Sequence, residues 1–242
     1  MGTIIAFINQ KGGIGKTTST INTGGALAVL KKRVLLVDLD QQCDLSFGTG
    51  VHRAESTNII QFLKSKAGIQ LQQKADGLHI LRGDQNFRSN QYSVSDLSLR
   101  LNHFKSHFDF IFMDCPPHPI EKGSASYLGI ACADFFVVPL GADDYSVKNA
   151  NLFLKRIKEH EFQARFLGFL FCNVLVTRKR SNELIRLIQD ANPDAVFDTF
   201  IRQDATVSKA KAVGKTIFQF QSKSRASNNY MAFAKELLKR IP

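Results

Sequence analysis

A chain of 242 residues, 44% of them hydrophobic, can bury a substantial core, and it contains no apolar run of the roughly 18 residues that a membrane-spanning helix needs. Its formal net charge of +11 is unevenly placed: residues 1–150 hold 15 Lys+Arg and 13 Asp+Glu, whereas residues 151–242 hold 17 and 8. A basic excess of that kind suits a polyanion such as DNA, RNA or an acidic lipid surface, although a merely soluble basic surface gives the same composition.

The first apolar run, Thr3 to Ile8, reads as a buried strand, and Thr17 to Leu30 reads as a helix. Between them lies Lys11-Gly12-Gly13-Ile14-Gly15-Lys16-Thr17-Thr18. Strand, glycine-rich loop and helix form the setting of a phosphate-binding loop. The glycines let the backbone turn tightly and aim its N–H groups at an anion, and the helix adds its positive N-terminal end. Lys16 supplies a point charge for the β- and γ-phosphates, and the Thr17 hydroxyl is placed for Mg²⁺. The pattern G-x-x-x-x-G-K-[ST] is not strictly met, because Gln10 stands at its first glycine and a second lysine, Lys11, heads the loop.

Lys31-Lys32-Arg33 suits a helix end. Val34 to Val37 is a second buried strand, ending in Asp38-Leu39-Asp40, whose two carboxylates point the same way at the end of the sheet that faces a ligand crevice. Ile59 to Leu63 reads as a short helix, Ala75-Asp76-Gly77 as a turn, Leu78 to Leu81 as a strand, Arg82 to Asn90 as a loop and Leu97 to Phe104 as a helix. Phe108 to Asp114 is a third buried strand ending in a carboxylate, followed by Cys115-Pro116-Pro117. It fits a Walker B strand, whose terminal Asp114 bonds a water of the Mg²⁺ shell. Ala125 to Ala133 is expected to be helical, Asp134 to Leu140 and Phe166 to Val174 to be strands, with Asn173 at the end of the latter. The rest reads as a helix from Asn182 to Ala191, a strand from Val196 to Ile201, a helix from Val207 to Val213, a polar turn from Ser222 to Arg225 and a closing amphipathic helix from Asn229 to Arg240. Alternating strands and helices give an α/β fold, a doubly wound, mostly parallel sheet in one P-loop NTPase-like domain spanning residues 1–242.

The four cysteines form no C-x-x-C pair and the six histidines show no ligand spacing, so reduced, buried thiols are expected rather than a zinc or iron–sulfur site. The N-terminus has no charged-then-apolar leader, so a cytoplasmic protein is expected.

All eight positions from Lys11 to Thr18 match the deviant Walker A motif K-G-G-x-G-K-T-[ST], so the chain resembles the ParA/MinD group of P-loop ATPases. Asp38-Leu39-Asp40 looks like that group's D-x-D signature, and Asp114-Cys115-Pro116-Pro117 like its D-x-P-P switch. The usual continuation D-P-Q-x-N is missing, since Gln41-Gln42-Cys43-Asp44 follows Asp40. The resemblance covers nearly the whole chain and is closest to the short ParA form that has no helix-turn-helix domain ahead of the P-loop.

The resemblance implies an ATPase that uses ATP and Mg²⁺. Lys16 and Asp40 would act in catalysis, Asp40 by orienting water, and Lys11 would reach the partner's nucleotide in an ATP-bound homodimer. Gly12, Gly13, Ile14, Gly15, Lys16, Thr17 and Thr18 would hold the phosphates and Asn173 the adenine edge, while Thr17, Asp38 and Asp114 would make the Mg²⁺ site, the carboxylates through water. In this reading the dimer binds non-specific duplex DNA and coats the nucleoid, and a ParB-type centromere-binding partner triggers its release. Arg178, Lys179, Arg180, Lys209, Lys211, Lys215, Lys223 and Arg225 are the candidate DNA contacts. Two other readings remain open: a MinD-like ATPase cycling on a membrane through its last helix, and a nucleotide-gated scaffold for another cargo complex.

Overall fold

The computed structural model describes residues 1–51, 56–65, 68–191 and 193–242. Seven strands form one sheet in the order β3-β4-β2-β5-β1-β6-β7. They are β1 (Thr3–Phe7), β2 (Val34–Asp38), β3 (Gln72–Ala75), β4 (Leu78–Leu81), β5 (Phe110–Asp114), β6 (Phe135–Gly141) and β7 (Arg165–Cys172). Every neighbouring pair is parallel except the β3–β4 hairpin. The central strands are continuous apolar runs because helices cover both faces of the sheet and leave no side for water.

The ten α-helices among the described residues are α1 (Lys16–Val29), α2 (Asp44–Gly48), α3 (Ile59–Lys64), α4 (Val94–Phe104), α5 (Ala125–Ala131), α6 (Asp144–Lys158), α7 (Lys179–Ala191), α8 (Ala205–Ala212), α9 (Ile217–Gln221) and α10 (Arg225–Arg240). One face packs Phe62 of α3, Leu97 of α4, Leu128 of α5, Phe153 of α6 and Ile185 of α7. The other packs Ile21 and Leu27 of α1, Ile217 of α9, and Tyr230, Phe233 and Leu237 of α10. Helix α1 lies close on the sheet because Gly24 faces Leu36, where a Cβ would stand 2.7 Å from a Leu36 methyl.

Three elements differ from the sequence expectation. Val196 to Ile201 is not a strand. It makes only single bridges, Val196 to Phe169 of β7 and Arg202 to Val174 just beyond it, because the Asp198 and Thr199 N–H groups turn away and donate to the Glu236 carboxylate at 2.7 and 2.9 Å. The polar turn at 222–225 is shorter than expected: Ser224 caps α10 by accepting from the Ser227 N–H, and Arg225 is already helical. Residues 72–75, which carry no apolar alternation, nevertheless form edge strand β3.

The β3–β4 turn has one obligatory glycine. Gly77 sits at φ +77°, and a Cβ there would stand 2.8 Å from the Lys32 carbonyl oxygen. Its own carbonyl accepts from the Val34 N–H at 2.7 Å, so the turn cannot swing away to make room. Gly77→Ala is expected to cost about 1–3 kcal/mol in urea unfolding from left-handed strain and overpacking, and a neutral result would sink this account of the turn.

Candidate functional site

The site forms where three parallel strands end in line. Phe7 of β1 and Asp38 of β2 are both register partners of Asp114 of β5. The loop from Lys11 to Gly15 leaves β1, and α1 starts at Lys16. Gly13 and Gly15 take φ +72° and +94°, the left-handed turns the loop needs. A Cβ on Gly15 would also stand 3.3 Å from that of Cys172 at the end of β7. Gly12 and Gly13 are exposed, Thr17 and Thr18 half-buried and Ile14 buried.

Lys16 is buried, and its Nζ donates to the Lys11 carbonyl at 3.0 Å. Burial lowers its pKa, opposed by the nearby Asp114, Cys115 and Asp40. Asp114 is fully buried, and burial together with Asp38 pushes its pKa up against the Thr17 hydroxyl and Lys16. Its Oδ2 has no hydrogen-bond partner among the described residues. An orphaned carboxylate oxygen beside a threonine at a helix N-terminus fits a hydrated Mg²⁺ ion, so these residues suit the metal.

Asp38, expected to help order the Mg²⁺ shell through water, stands beside Asp114 and also makes hydrogen bonds of its own. Its Oδ2 accepts from the Ser46 hydroxyl at 2.6 Å and the Ser46 N–H at 2.9 Å, and its Oδ1 accepts from the Asp40 N–H at 3.2 Å. Burial raises its pKa to about 6, with the Ser46 bonds pulling it back down. Ser46 in turn accepts from the Gly83 N–H at 2.9 Å. Asp38 therefore ties α2 and the β4 exit to the end of β2. Asp40 accepts from the Gln42 N–H at 2.9 Å through Oδ1, and its Oδ2 has no protein partner among the described residues.

The loop after Asp40 explains its unusual residues. Cys43 takes φ +54° at the start of α2, and the Gln41 amide donates to the Phe87 carbonyl, a bond that a proline at this position could not make. The switch segment closes over the loop: Ser126 donates to the Pro116 carbonyl at 2.9 Å, and Pro117 lies 4.0 Å from where a Cβ on Gly12 would stand.

Lys11 does not point into solvent. Its Nζ lies 3.0 Å from both Asp143 oxygens and donates to the Ser146 hydroxyl at 2.9 Å. Burial works against the Asp143 charge, but the bonds from Ser146 and Lys11 outweigh it and hold that carboxyl below its usual range. Gln10 accepts from Arg156 at 3.0 Å, so α6 is fastened to the loop at two points. The sequence places a loop and helix from Asp143 to Phe153 by the same resemblance but marks none of Asp143, Ser146 and Arg156 as a site residue, although an Asp two residues after a strand end is a recognisable helix cap. A cleft of about 430 Å³ lies between this helix and the loop, lined by Asn9, Gln10, Lys11, Pro117, Tyr145 and Asn149 among others. The wider cleft of about 860 Å³ between α3 and α4 is lined by Phe62, Leu99, Arg100, His103 and His107 among others, and none of the glycine-rich loop lines it.

Asn173 is exposed at φ +55°, directly after β7 and beside the loop. The eight basic candidates are spread over three places. Arg178, Lys179 and Arg180 lie at the start of α7 near the β7 edge, with Arg180 paired to Asp144 and Glu183. Lys209, Lys211 and Lys215 belong to α8 and the turn after it, where Lys211 meets Asp44 of α2 at 2.9 Å. Lys223 and Arg225 flank the start of α10, and Arg225 donates to the Gln203 carbonyl.

This loop at the carboxyl end of a parallel sheet defines a P-loop nucleotide-binding protein, with the additional lysine of the deviant type. Known proteins resemble it along the same lines. A family model described as an AAA domain (AAA_31) matches residues 2–166. The chain is 30% identical to the chromosome-partitioning ATPase Soj of Treponema pallidum, over 99% of this chain and 98% of that protein. It is 28% identical to the sporulation initiation inhibitor protein Soj of Bacillus subtilis, over 98% of each. Among solved structures, the septum site-determining protein MinD of Pyrococcus horikoshii, complexed with Mg-ADP, superposes with a TM-score of 0.80 over 98% of this chain and 96% of that one at 21% identity, a likeness of fold. The chain belongs to the AAA_31 family and is a P-loop ATPase of the ParA/MinD type.

The tie between Asp38 and Ser46 can be tested without nucleotide. Ser46→Ala and Asp38→Ala are each expected to lower stability by about 1.5–3 kcal/mol in urea unfolding, since each removes a hydrogen bond to a buried charge. The double variant should cost clearly less than the sum of the two. Strict additivity would mean that the two side chains do not act together.

Proposed function

We propose that the chain is an ATP-driven DNA-partition switch. It binds ATP with Mg²⁺, pairs with a second copy, holds duplex DNA without sequence preference, and lets go when a ParB-type partner stimulates hydrolysis. The observation that carries the reading is Lys11: it heads the phosphate loop, yet its ammonium group is held to one side by Asp143 and Ser146. A lysine in that place can be drawn to a nucleotide across a face-to-face dimer, which would turn nucleotide state into assembly state. Full-length similarity to chromosome-partitioning ATPases and the basic C-terminal third support the choice of DNA as the surface to be held.

The chemistry asked of the protein is positioning and charge neutralisation. The amides from Gly12 to Lys16 and the Lys16 ammonium group would cradle the β- and γ-phosphates, and Thr18 would contact the α-phosphate. Thr17 would hold the hydrated Mg²⁺, with Asp114 and Asp38 on its water shell, and the ion would supply charge neutralisation on the β- and γ-oxygens. Asp40, with one oxygen uncommitted, would orient the attacking water, and Asn173 would meet the adenine edge.

The membrane-cycling alternative needs the apolar face of α10 to be available to lipid. Tyr230, Phe233 and Leu237 on that face are at most 1% exposed and packed into the core, which favours DNA over lipid. No described helix is long and apolar enough to cross a membrane. A cytoplasmic location, on the nucleoid when ATP is bound, goes with the same reading.

Binding to a random-sequence duplex should require ATP, vanish with ADP or without nucleotide, and weaken steeply as salt rises. Lys16→Ala should abolish it, while Asp40→Ala should retain it and lose hydrolysis. Binding indifferent to nucleotide, or none at low salt, overturns the proposal.

Asp143→Asn keeps the helix cap but removes the charge that holds Lys11. A partly exposed pair of this kind is worth about 0.2–1 kcal/mol, so ATP-dependent dimerisation should tighten by up to about 5-fold per subunit in sedimentation. Weaker dimerisation would mean that Asp143 assists the paired state instead.

A further inference from the structure

Two lysines from distant parts of the chain share one corner of the molecule. Lys74 stands on edge strand β3, and Lys215 follows Gly214 in the turn between α8 and α9. They are brought together by backbone. Gly50 and Gly214 pack so closely that a Cβ on Gly214 would fall 2.7 Å from the Gly50 Cα. Both glycines are in the left-handed region, at φ +70° and +63°, where other residues are strained. The Lys74 Nζ lies over this contact, 3.5 Å from the place of a Gly50 Cβ. The Gln219 amide donates to the Lys74 carbonyl at 2.9 Å while its oxygen accepts from the Thr216 N–H at 3.1 Å, pinning the strand to the start of α9.

Neither Lys74 nor Lys215 has a hydrogen-bond acceptor or a carboxylate partner among the described residues, in contrast to Lys211, whose charge is met by Asp44. Partial burial and the charge of Lys215 lower the Lys74 pKa. Two cations held near one another by a rigid backbone repel, and an anion placed between them relieves the repulsion. The donors are compact ammonium groups, which meet phosphate as point charges rather than as planar forks. Point charges of this kind carry no base pattern, so the chemistry fits a sugar-phosphate backbone.

We propose that Lys74 and Lys215 form a two-lysine clamp for a backbone phosphate of duplex DNA. The inference rests on the DNA-binding reading above and extends it. The DNA surface then includes an edge strand from the first third of the chain, outside the basic C-terminal region.

The test is anisotropy of a labelled random-sequence duplex with ATP across a salt series, using the full chain and Lys74→Gln, Lys215→Gln, the double variant, and Lys122→Gln. Lys122 is an exposed lysine in the loop before α5 and serves as a control for net charge. ATP hydrolysis without DNA and urea unfolding should be unchanged in all four. Each clamp variant should weaken binding several-fold and reduce the slope of log affinity against log salt by about 0.9 for each phosphate that is no longer neutralised. The double variant should be little worse than either single one, because one phosphate needs both lysines. If the unaltered chain binds in an ATP-dependent way but Lys74→Gln tracks Lys122→Gln, or the effects of the two clamp substitutions simply add, the clamp is wrong and the DNA reading stands. If the unaltered chain does not bind, the DNA reading fails and the clamp with it.

Discussion

The architecture depends on keeping two carboxylates in its core. Asp38 and Asp114 end adjacent parallel strands in register, both fully or almost fully buried, and Asp38 makes Asp114 harder to ionise. Burying one uncompensated charge is costly and burying two as neighbours more so. The fold answers each in a different way. Asp38 is given three hydrogen bonds from the polypeptide and becomes a structural tie. Asp114 is given Lys16, Thr17 and one oxygen with no partner among the described residues, a deficit that a hydrated cation would fill. Two chemically identical residues at equivalent strand ends thus part company because Ser46 reaches only one of them.

The same division explains how the glycine-rich loop is fastened. On its inner side Lys16 bonds back to the Lys11 carbonyl, which holds the loop curved. On its outer side the Lys11 ammonium group and the Gln10 side chain reach across to α6. The loop therefore sits between the core and a single surface helix. Any movement of Lys11 must break bonds to Asp143 and Ser146 that also organise the first turn of that helix. A change at the phosphates and a change in the placing of α6 are energetically linked, with no long chain of intermediates between them.

Features carried by neighbouring residues were legible in the sequence. The buried strands, the loop from Lys11 to Thr18 and the turn at Gly77 all follow from local pattern and from the conformational demands of glycine. What could not be read depends on residues far apart in the chain. Val196 to Ile201 has a strand-like composition, but Glu236 from α10 takes two of its N–H groups. Gln72 to Ala75 carries no apolar alternation, yet it pairs with β4 and is pinned by Gln219. The motif placed Asp38 correctly at the strand end, and only the position of Ser46 in the folded chain assigned it to holding α2.

The basic charge makes a related point. A count along the chain locates the excess after residue 150, and a reading of the eight candidates as one surface follows naturally from it. In three dimensions Arg178 to Arg180 stand by the β7 edge, whereas Lys211 and Lys215 stand by α2 and β3, towards the other end of the strand order. Several of these charges are already answered, Arg180 by Asp144 and Glu183 and Lys211 by Asp44, and an answered charge contributes less field to an approaching polyanion. Lys74, which lies outside the basic third, has no such answer among the described residues and faces another cation. The property that matters for holding an anion is uncompensated charge at a fixed place, and that is set by packing at Gly50 and Gly214 rather than by where lysines are numerous.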